Sequence, residues 1–336
     1  MSVITSNSML VAPSDGDRVS FRPEFGQRAL LTVDTEEEFD WNAPFRREGH
    51  SVTHIPALAR FQSFCEELNV SPVYLVDWPI AQNSQAVEVI GDAVARGTAE
   101  IGIQLHPWVN PPFEEEVTDF NSYAGNLPPA LEEAKFRALY EQIEKAFGCP
   151  PLIYRAGRYG LGPNTASLLN EFGMRFDSSV RSRFDYRDQQ GPDYSQHPIE
   201  PYWSGENGSV LELPLTTMYC GPLRKIATGS VRLRQHLPTF FGVLSRLGLL
   251  ERIPLTPEGI TVDEAKRGID AALEQGIELM VLSFHSPTLA PGKTPYATTQ
   301  TEVEAVYDWF SQICAYLWQS GVQPTSIAQI NDAILR

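Results

Sequence analysis

The chain has 336 residues in which Asp+Glu 42 outnumber Lys+Arg 26, and it lacks any basic run of the kind that tracks phosphates, which argues against nucleic acid and anionic membrane surfaces as partners. No window approaches the ~20 consecutive apolar residues of a membrane span, and the N-terminus lacks the charged-then-apolar order of a secretory signal, so a soluble, cytoplasmic protein is expected. Cys65, Cys149, Cys220 and Cys314 are too far apart for metal-type spacing and read as free thiols, Cys65 and Cys314 on apolar helix faces.

Residues 1–27 are rich in Ser, Asp and Pro with weak periodicity and read as an N-terminal arm; 28–336 reads as one domain. Strand 28–34 is apolar until it ends in Asp34, followed at once by Glu36, Glu37, Glu38 and Asp40. A helix at 56–68 leads to strand 72–77, which closes on Asp77, and a helix at 84–96 leads to strand 99–105, which empties into Gln104 and His106. After a long loop, 107–128, come a periodic helix at 129–147 and strand 151–155, ending at Arg155 with Arg158 just beyond. A helix at 164–172 and strand 174–177, ending in Asp177, precede a Tyr-, Asp- and Gly-rich loop, 181–208, and strand 209–215. Helices at 231–249 and 262–275 lead to strand 278–285, which delivers His285, and helices at 300–319 and 326–335 close the chain.

Strand alternating with helix predicts parallel strands joined by right-handed crossovers. Seven or so strands in one series predict an α/β fold closed into a single barrel rather than an open doubly wound sheet. No Gly-x-Gly-x-x-Gly follows the first strand, which removes a dinucleotide site.

In parallel sheets, ligands sit beyond the carboxyl ends of the strands, and here several strands carry polar groups to that end. Asp34 suits a general base, with Arg155 or Arg158 as the cation beside it, and His285 suits a general acid that protonates a leaving amine. Asp77 is either a substrate contact or a helix cap. Trp41, Trp108, Phe113, Tyr159 and Tyr296 follow these strands in loops, where an aromatic face beside polar groups suits a sugar ring. With Gln104 and Arg158, the group Tyr159, Asp77, Trp108 and Trp41 makes the expected substrate-binding set. At least half of the run Glu36, Glu37, Glu38 and Asp40 should be solvated.

Taken in order, Thr32-Val-Asp-Thr-Glu36, Glu100-Ile-Gly-Ile-Gln-Leu-His-Pro-Trp108, Arg155-Ala-Gly-Arg-Tyr-Gly160, Phe176-Asp-Ser-Ser179 and Leu282-Ser-Phe-His-Ser-Pro287 resemble the successive motifs of the polysaccharide deacetylase superfamily, also called the NodB-homology or carbohydrate esterase family 4 fold. Pro72-Val-Tyr-Leu-Val-Asp77 and the stretch from His285 to Tyr296 look like its WalW-like branch, associated with lipopolysaccharide core synthesis. The resemblance covers about residues 28–336. It implies a single distorted (β/α)7 barrel of mainly parallel strands that hydrolyses C–N bonds, chiefly removing acetyl from N-acetylated sugars with the help of a divalent metal. It also implies that Asp34 is the base, Arg155 its orienting arginine, His285 the general acid and, more loosely, Asp177 the aspartate associated with that histidine.

The chain departs from the family at the metal motifs. Thr35 follows Asp34 where metal-binding members carry a second aspartate, and Gln104 and Trp108 stand where two histidines four apart would fall. His106 lies between them and is expected on the opposite strand face from Gln104. Zinc needs about three protein ligands and an open position, a set that Asp34, Glu36, His106 and His285 compose if the loop after Asp34 curls back. His50 and His54, four apart, are a further pair to place, whereas His197 and His236 show no convergence. The expected function is N-deacetylation of an amino sugar in cell-surface glycan or lipopolysaccharide assembly, with a glycan as substrate. The alternatives are a non-catalytic relative that binds glycan or a partner, and a metal-independent amidohydrolase resembling the allantoinase-like members.

Overall fold

Apolar runs that read as strands because both of their faces are covered become the wall of a curled sheet in this computed structural model, which describes residues 8–224 and 249–335. The helix expected at 231–249 lies outside the described residues up to its last position, as does His236. The strands are β1 (Arg28–Thr35), β2 (Val73–Val76), β3 (Glu100–Leu105), β4 (Ile153–Ala156), β5 (Phe176–Asp177), β6 (Tyr202–Ser204), β7 (Val210–Glu212), β8 (Thr217–Cys220), β9 (Glu251–Pro254), β10 (Leu279–His285) and β11 (Gln323–Pro324). Seven of them run parallel in the spatial order β10, β1, β2, β3, β4, β5, β7, as the (β/α)7 reading requires. β6 adds to β7 antiparallel, and β11 pairs with the first two residues of β1.

Closure is loose, which is the distortion. Between β7 and β10 there is no continuous ladder; the chain just past β7 meets β10 through Thr216, whose amide donates to the Val281 carbonyl at 3.2 Å and whose hydroxyl accepts from the Val281 amide at 2.8 Å. β8 and β9 form a separate antiparallel pair that the sequence does not announce. Each is four residues long, and their pairing spans a long stretch of chain, so neither local propensity nor a turn signal marks them.

The helices are α1 (Ile55–Glu67), α2 (Trp78–Ala81), α3 (Ser84–Ala95), α4 (Pro129–Phe147), α5 (Thr165–Glu171), α6 (Val262–Glu274), α7 (Gln300–Gln319) and α8 (Ile327–Ala333). Their starts are written locally: Thr261 with Glu264, and Thr299 with Glu302, form capping boxes on α6 and α7. Gly148, in the left-handed region at φ 71°, ends α4. Their apolar faces pack on the sheet, as where Phe61 of α1 and Phe310 of α7 meet Phe284 of β10. A second apolar cluster gathers Val73, Ile153, Phe176 and Leu279 from strand starts, with Ile327 and Ile330 of α8 and with Phe21 and Phe25 of the N-terminal segment. That cluster fills the end where the strands begin and leaves the polar residues to the opposite mouth. No helix among the described residues is long and apolar enough to cross a membrane.

Candidate active site

Parallel pairing in register sets Asp34 at the end of β1 directly beside His285 at the end of β10. Arg155 reaches across from β4: its Nη1 donates to Asp34 Oδ1, its Nε to the Ser178 carbonyl at 2.8 Å, and its Nη2 to Ser178 Oγ at 2.9 Å and Thr32 Oγ1 at 3.0 Å. With every edge of the guanidinium engaged and the side chain 1% exposed, its orientation on Asp34 is fixed. His285 Nε2 lies 3.6 Å from Asp34 Oδ2.

The other ring nitrogen of His285 belongs to a residue that the strand-end pattern misses. Glu258, in the loop between β9 and α6, holds Nδ1 at 2.7 Å and accepts the His285 amide at 3.0 Å and the Thr288 hydroxyl at 2.6 Å. Burial pulls the imidazole pKa down, but the neighbouring carboxylates Glu258, Glu36 and Asp34 outweigh it and raise the ring to about 10. The only local signal for Glu258 is the left-handed Gly259 that follows it, at φ 76°, which marks a turn and not a site. The family-derived expectation that Asp177 serves His285 is corrected here. Asp177 is fully buried, accepts from the Ser179 amide at 2.9 Å and hydroxyl at 2.7 Å, and faces Glu212, so that burial raises both carboxyls.

The acidic run after β1 turns inward, against the expectation of solvation. Glu36, Glu37 and Glu38 are 2%, 0% and 6% exposed, and Asp40 alone of the run is exposed. Each buried carboxylate has found donors, which a reading of charge alone does not reveal. Glu37 takes His106 Nδ1 at 2.8 Å and the Trp108 indole N–H at 2.6 Å. Glu36 accepts from Gln104 Nε2 at 3.1 Å and lies 3.5 Å from His106 Nε2. Gln104 and His106 therefore share a face, correcting the expectation of opposite faces, because positions two apart in a strand point the same way. Glu38 binds His54 Nδ1 at 3.0 Å and Lys293 at 2.9 Å. The other His54 nitrogen meets Ser286 Oγ at 2.8 Å, so His54 ties loops together without joining His50 at a metal cluster.

Asp34, Glu36 and His285 bring one donor atom each to within 4.8 Å of one another, and Glu37, Asp77 and His106 form a second such group. Glu36 Oε1 is buried with no hydrogen-bond partner, and burial pushes this carboxyl well up. His106 holds Nδ1 on an outer carboxylate, Glu37, and turns Nε2 inward, the arrangement in which a neutral imidazole is oriented for a cation, whereas His285, held by Glu258 in the same way, is protonated and suited to donate a proton. The carboxylates of Asp34 and Glu36, with the His106 imidazole alongside, fit a divalent metal. Burial lowers the His106 pKa to about 4, which keeps the ring neutral.

A cavity of about 330 Å³ opens over this cluster, and Asp34, Glu36, Gln104, His106, Arg155, Arg158, Tyr159, Glu258 and His285 all reach its wall. Trp41 stands edge-on to His285, ring centroids 4.9 Å apart, and edge-on to Tyr296 at 5.6 Å. Two expected substrate contacts are not on the wall. Asp77 is fully buried and caps α2, accepting the Ile80 amide at 2.9 Å and the Glu37 amide at 2.7 Å. Trp108, 2% exposed, stacks on His106 at 4.4 Å and supports the ring from behind. Phe113 is 48% exposed, lies off the cavity and takes the cations of Arg47 and Lys135 on its face.

No family model and no curated protein matches the chain. Solved structures do. A Mycobacterium smegmatis protein assigned as a polysaccharide deacetylase superposes at TM-score 0.55 with 20% identity over 96% of this chain and 94% of that one. A Parabacteroides distasonis protein assigned as a glycoside hydrolase/deacetylase gives 0.57 with 9% identity over 92% and 71%. A glycoside hydrolase family 57 branching enzyme from Thermococcus kodakaraensis gives 0.50 with 12% identity over 92% and 71%. The chain has the polysaccharide deacetylase-type barrel fold. Within that fold, the cluster around Asp34 lies where the strands end.

Proposed function

We propose that the chain is a hydrolase of a non-peptide carbon–nitrogen bond, an N-deacetylase of an N-acetylated sugar in cell-surface polysaccharide or lipopolysaccharide assembly, working in the cytoplasm. The observation that carries this reading is Asp34 lying between a locked guanidinium, Arg155, and an imidazole, His285, at the floor of an aromatic-walled cavity. Asp34 takes a proton from water, and the water oxygen attacks the acetamide carbonyl. His285, protonated at neutral pH by virtue of its carboxylate neighbours, donates a proton from Nε2 to the nitrogen as the C–N bond breaks, releasing acetate and the free amine. Glu258 holds the ring from Nδ1, which aims Nε2 at the cavity. The oxyanion would be stabilised by Arg158, which reaches the cavity wall, by backbone amides or by a metal.

Asp34 and Glu36, with the neutral His106 beside them, would hold a divalent metal and leave His285 as the acid. Such an ion lowers the pKa of bound water and polarises a carbonyl. Acetate release from N-acetylated sugars should fall by about 10²–10⁴ in Asp34→Asn and in His285→Ala. Equal rates in wild type and both variants would dismiss the proposal. Elemental analysis of the purified chain, with Glu36→Gln as the control, tests the metal set. Thr35 and Gln104 at family metal positions favour a second reading, a glycan binder without turnover, for which sugar binds and no acetate appears.

A further inference from the structure

The same cavity carries more positive charge than acyl hydrolysis of a neutral sugar needs. Arg158 and Arg181 both reach its wall. Surface arginines such as Arg60, Arg137 and Arg267 find carboxylates, as expected in a chain of formal net charge -16. Among the described residues, Arg158 and Arg181 pair with no carboxylate, unlike Arg155 on the same wall. Arg158 donates to the Ser122 hydroxyl at 2.5 Å, the Gln189 side-chain oxygen at 3.2 Å and the Asp119 carbonyl at 3.4 Å, and lies over the rings of Tyr123 and Phe45. Arg181 has a long contact of 3.4 Å to the Tyr186 hydroxyl and lies over Tyr159 and Phe184. Neutral acceptors and ring faces hold the guanidinium planes in place without cancelling their charge.

Two carboxylates that share the wall are already paired, Asp34 with Arg155 and Glu258 with His285, and the third, Glu36, accepts from Gln104 and makes no ion pair with either cavity guanidinium. Arg181 lies over Tyr159, which stacks on Tyr186 with ring centroids 5.7 Å apart, and Arg158 is the residue just before Tyr159. The chain accepts an unusual backbone to place them. Arg158 and Tyr159, consecutive non-glycine residues, both lie in the left-handed region, at φ 55° and 62°. Such a pair persists where surrounding packing over-determines it, and it clusters at ligand-binding sites.

We infer that the substrate is an anion, an acylated amino sugar carrying a phosphate or carboxylate that Arg158 and Arg181 bind beside the Tyr159–Tyr186 stack while the acyl group reaches Asp34. This rests on the hydrolase reading for the reaction, but not for the binding. A protein of this net charge repels anions at long range, so a cavity holding two guanidiniums not offset by carboxylates selects for them at short range.

Calorimetric titration of wild type and of Asp34→Asn with N-acetylglucosamine, N-acetylglucosamine 1-phosphate and N-acetylmuramic acid tests this at two salt concentrations. At least one anionic sugar should bind about 10-fold or more tightly than the neutral one, with an advantage that shrinks at high salt. Arg158→Gln and Arg181→Gln should each remove most of that advantage, so that anionic and neutral sugars bind alike, while Arg→Lys at either position keeps part of it. The sugar that binds identifies phosphate or carboxylate as the anion. Neutral sugar bound as tightly as both anionic sugars, or no binding of any of the three, overturns the inference; the wild-type comparison needs no variant to fold. Anionic sugar bound without acetate release would sink the hydrolase reading and keep this one, whereas equal hydrolysis and binding of all three would do the reverse.

Discussion

His285 shows how a single side chain takes its chemistry from its neighbours. A buried imidazole on its own would titrate low; Glu258 on Nδ1, with Glu36 and Asp34 close by, takes it to about 10. Glu258→Gln removes the largest opposing charge, so the alkaline limb of the rate profile should move from about pH 10 toward the ordinary imidazole range, with slower turnover at neutral pH. An unmoved limb would deny Glu258 that positioning role. Asp34, Arg155 and His285 were legible in the sequence because each ends an apolar run. Glu258 was not, because a loop acid acquires its meaning from the ring it meets. Gly157 supplies a second residue-scale test: a methyl group there would collide with the His106 ring and the Leu105 carbonyl. Gly157→Ala should displace His106 and lower activity about 10-fold or more while leaving the far-ultraviolet circular dichroism unchanged.

At the scale of elements, α4 does more than cover the sheet. Lys135 on its buried face donates to the carbonyls of Pro107 at 3.0 Å, Asn110 at 2.6 Å and Pro112 at 2.7 Å, and pairs with Glu115 at 3.1 Å. The loop it pins is the one that carries Trp108 against His106 and Glu37. Lys135→Met leaves those carbonyls and Glu115 buried without their partner, so denaturant unfolding should show a loss of about 3–5 kcal/mol. A change under about 1 kcal/mol would mean that the loop holds itself. The helix itself was readable to the residue at 129–147 from its apolar period, with Pro at the start and Gly at the end. Its lysine anchor was not, since a Lys in a helical pattern reads as solvated. The β8–β9 pair escaped for a related reason: its stabilising partner strand is remote in sequence.

Across the whole molecule, buried neutral histidines tie stability to pH. His197 sits under the N-terminal segment, with Nε2 3.3 Å from the Met9 carbonyl and Nδ1 buried without a partner, and burial lowers its pKa to about 4. A folded pKa below the ordinary 6.5 gives stability that is complete above pH 6.5 and lost as pH falls through about 4. His106 acts in the same direction. Urea melts should therefore show wild type losing stability across that window, of order 3 kcal/mol from His197. His197→Phe should flatten the slope, and parallel curves for the two proteins would exclude His197 as the cause.

By itself the sequence determined the alternation of strand and helix, the number of parallel strands, and which strands end in polar groups, because strand burial and helix amphipathicity are written in local periodicity. Tertiary structure alone decided that Glu36 and Glu37 turn inward, that Glu258 and not Asp177 meets His285, that Asp77 and Trp108 support the cavity wall from behind, and that Arg158 and Arg181 reach the same cavity. These are matters of which partner a polar group finds across the barrel. Such pairing depends on distances in space that no local pattern in the chain encodes.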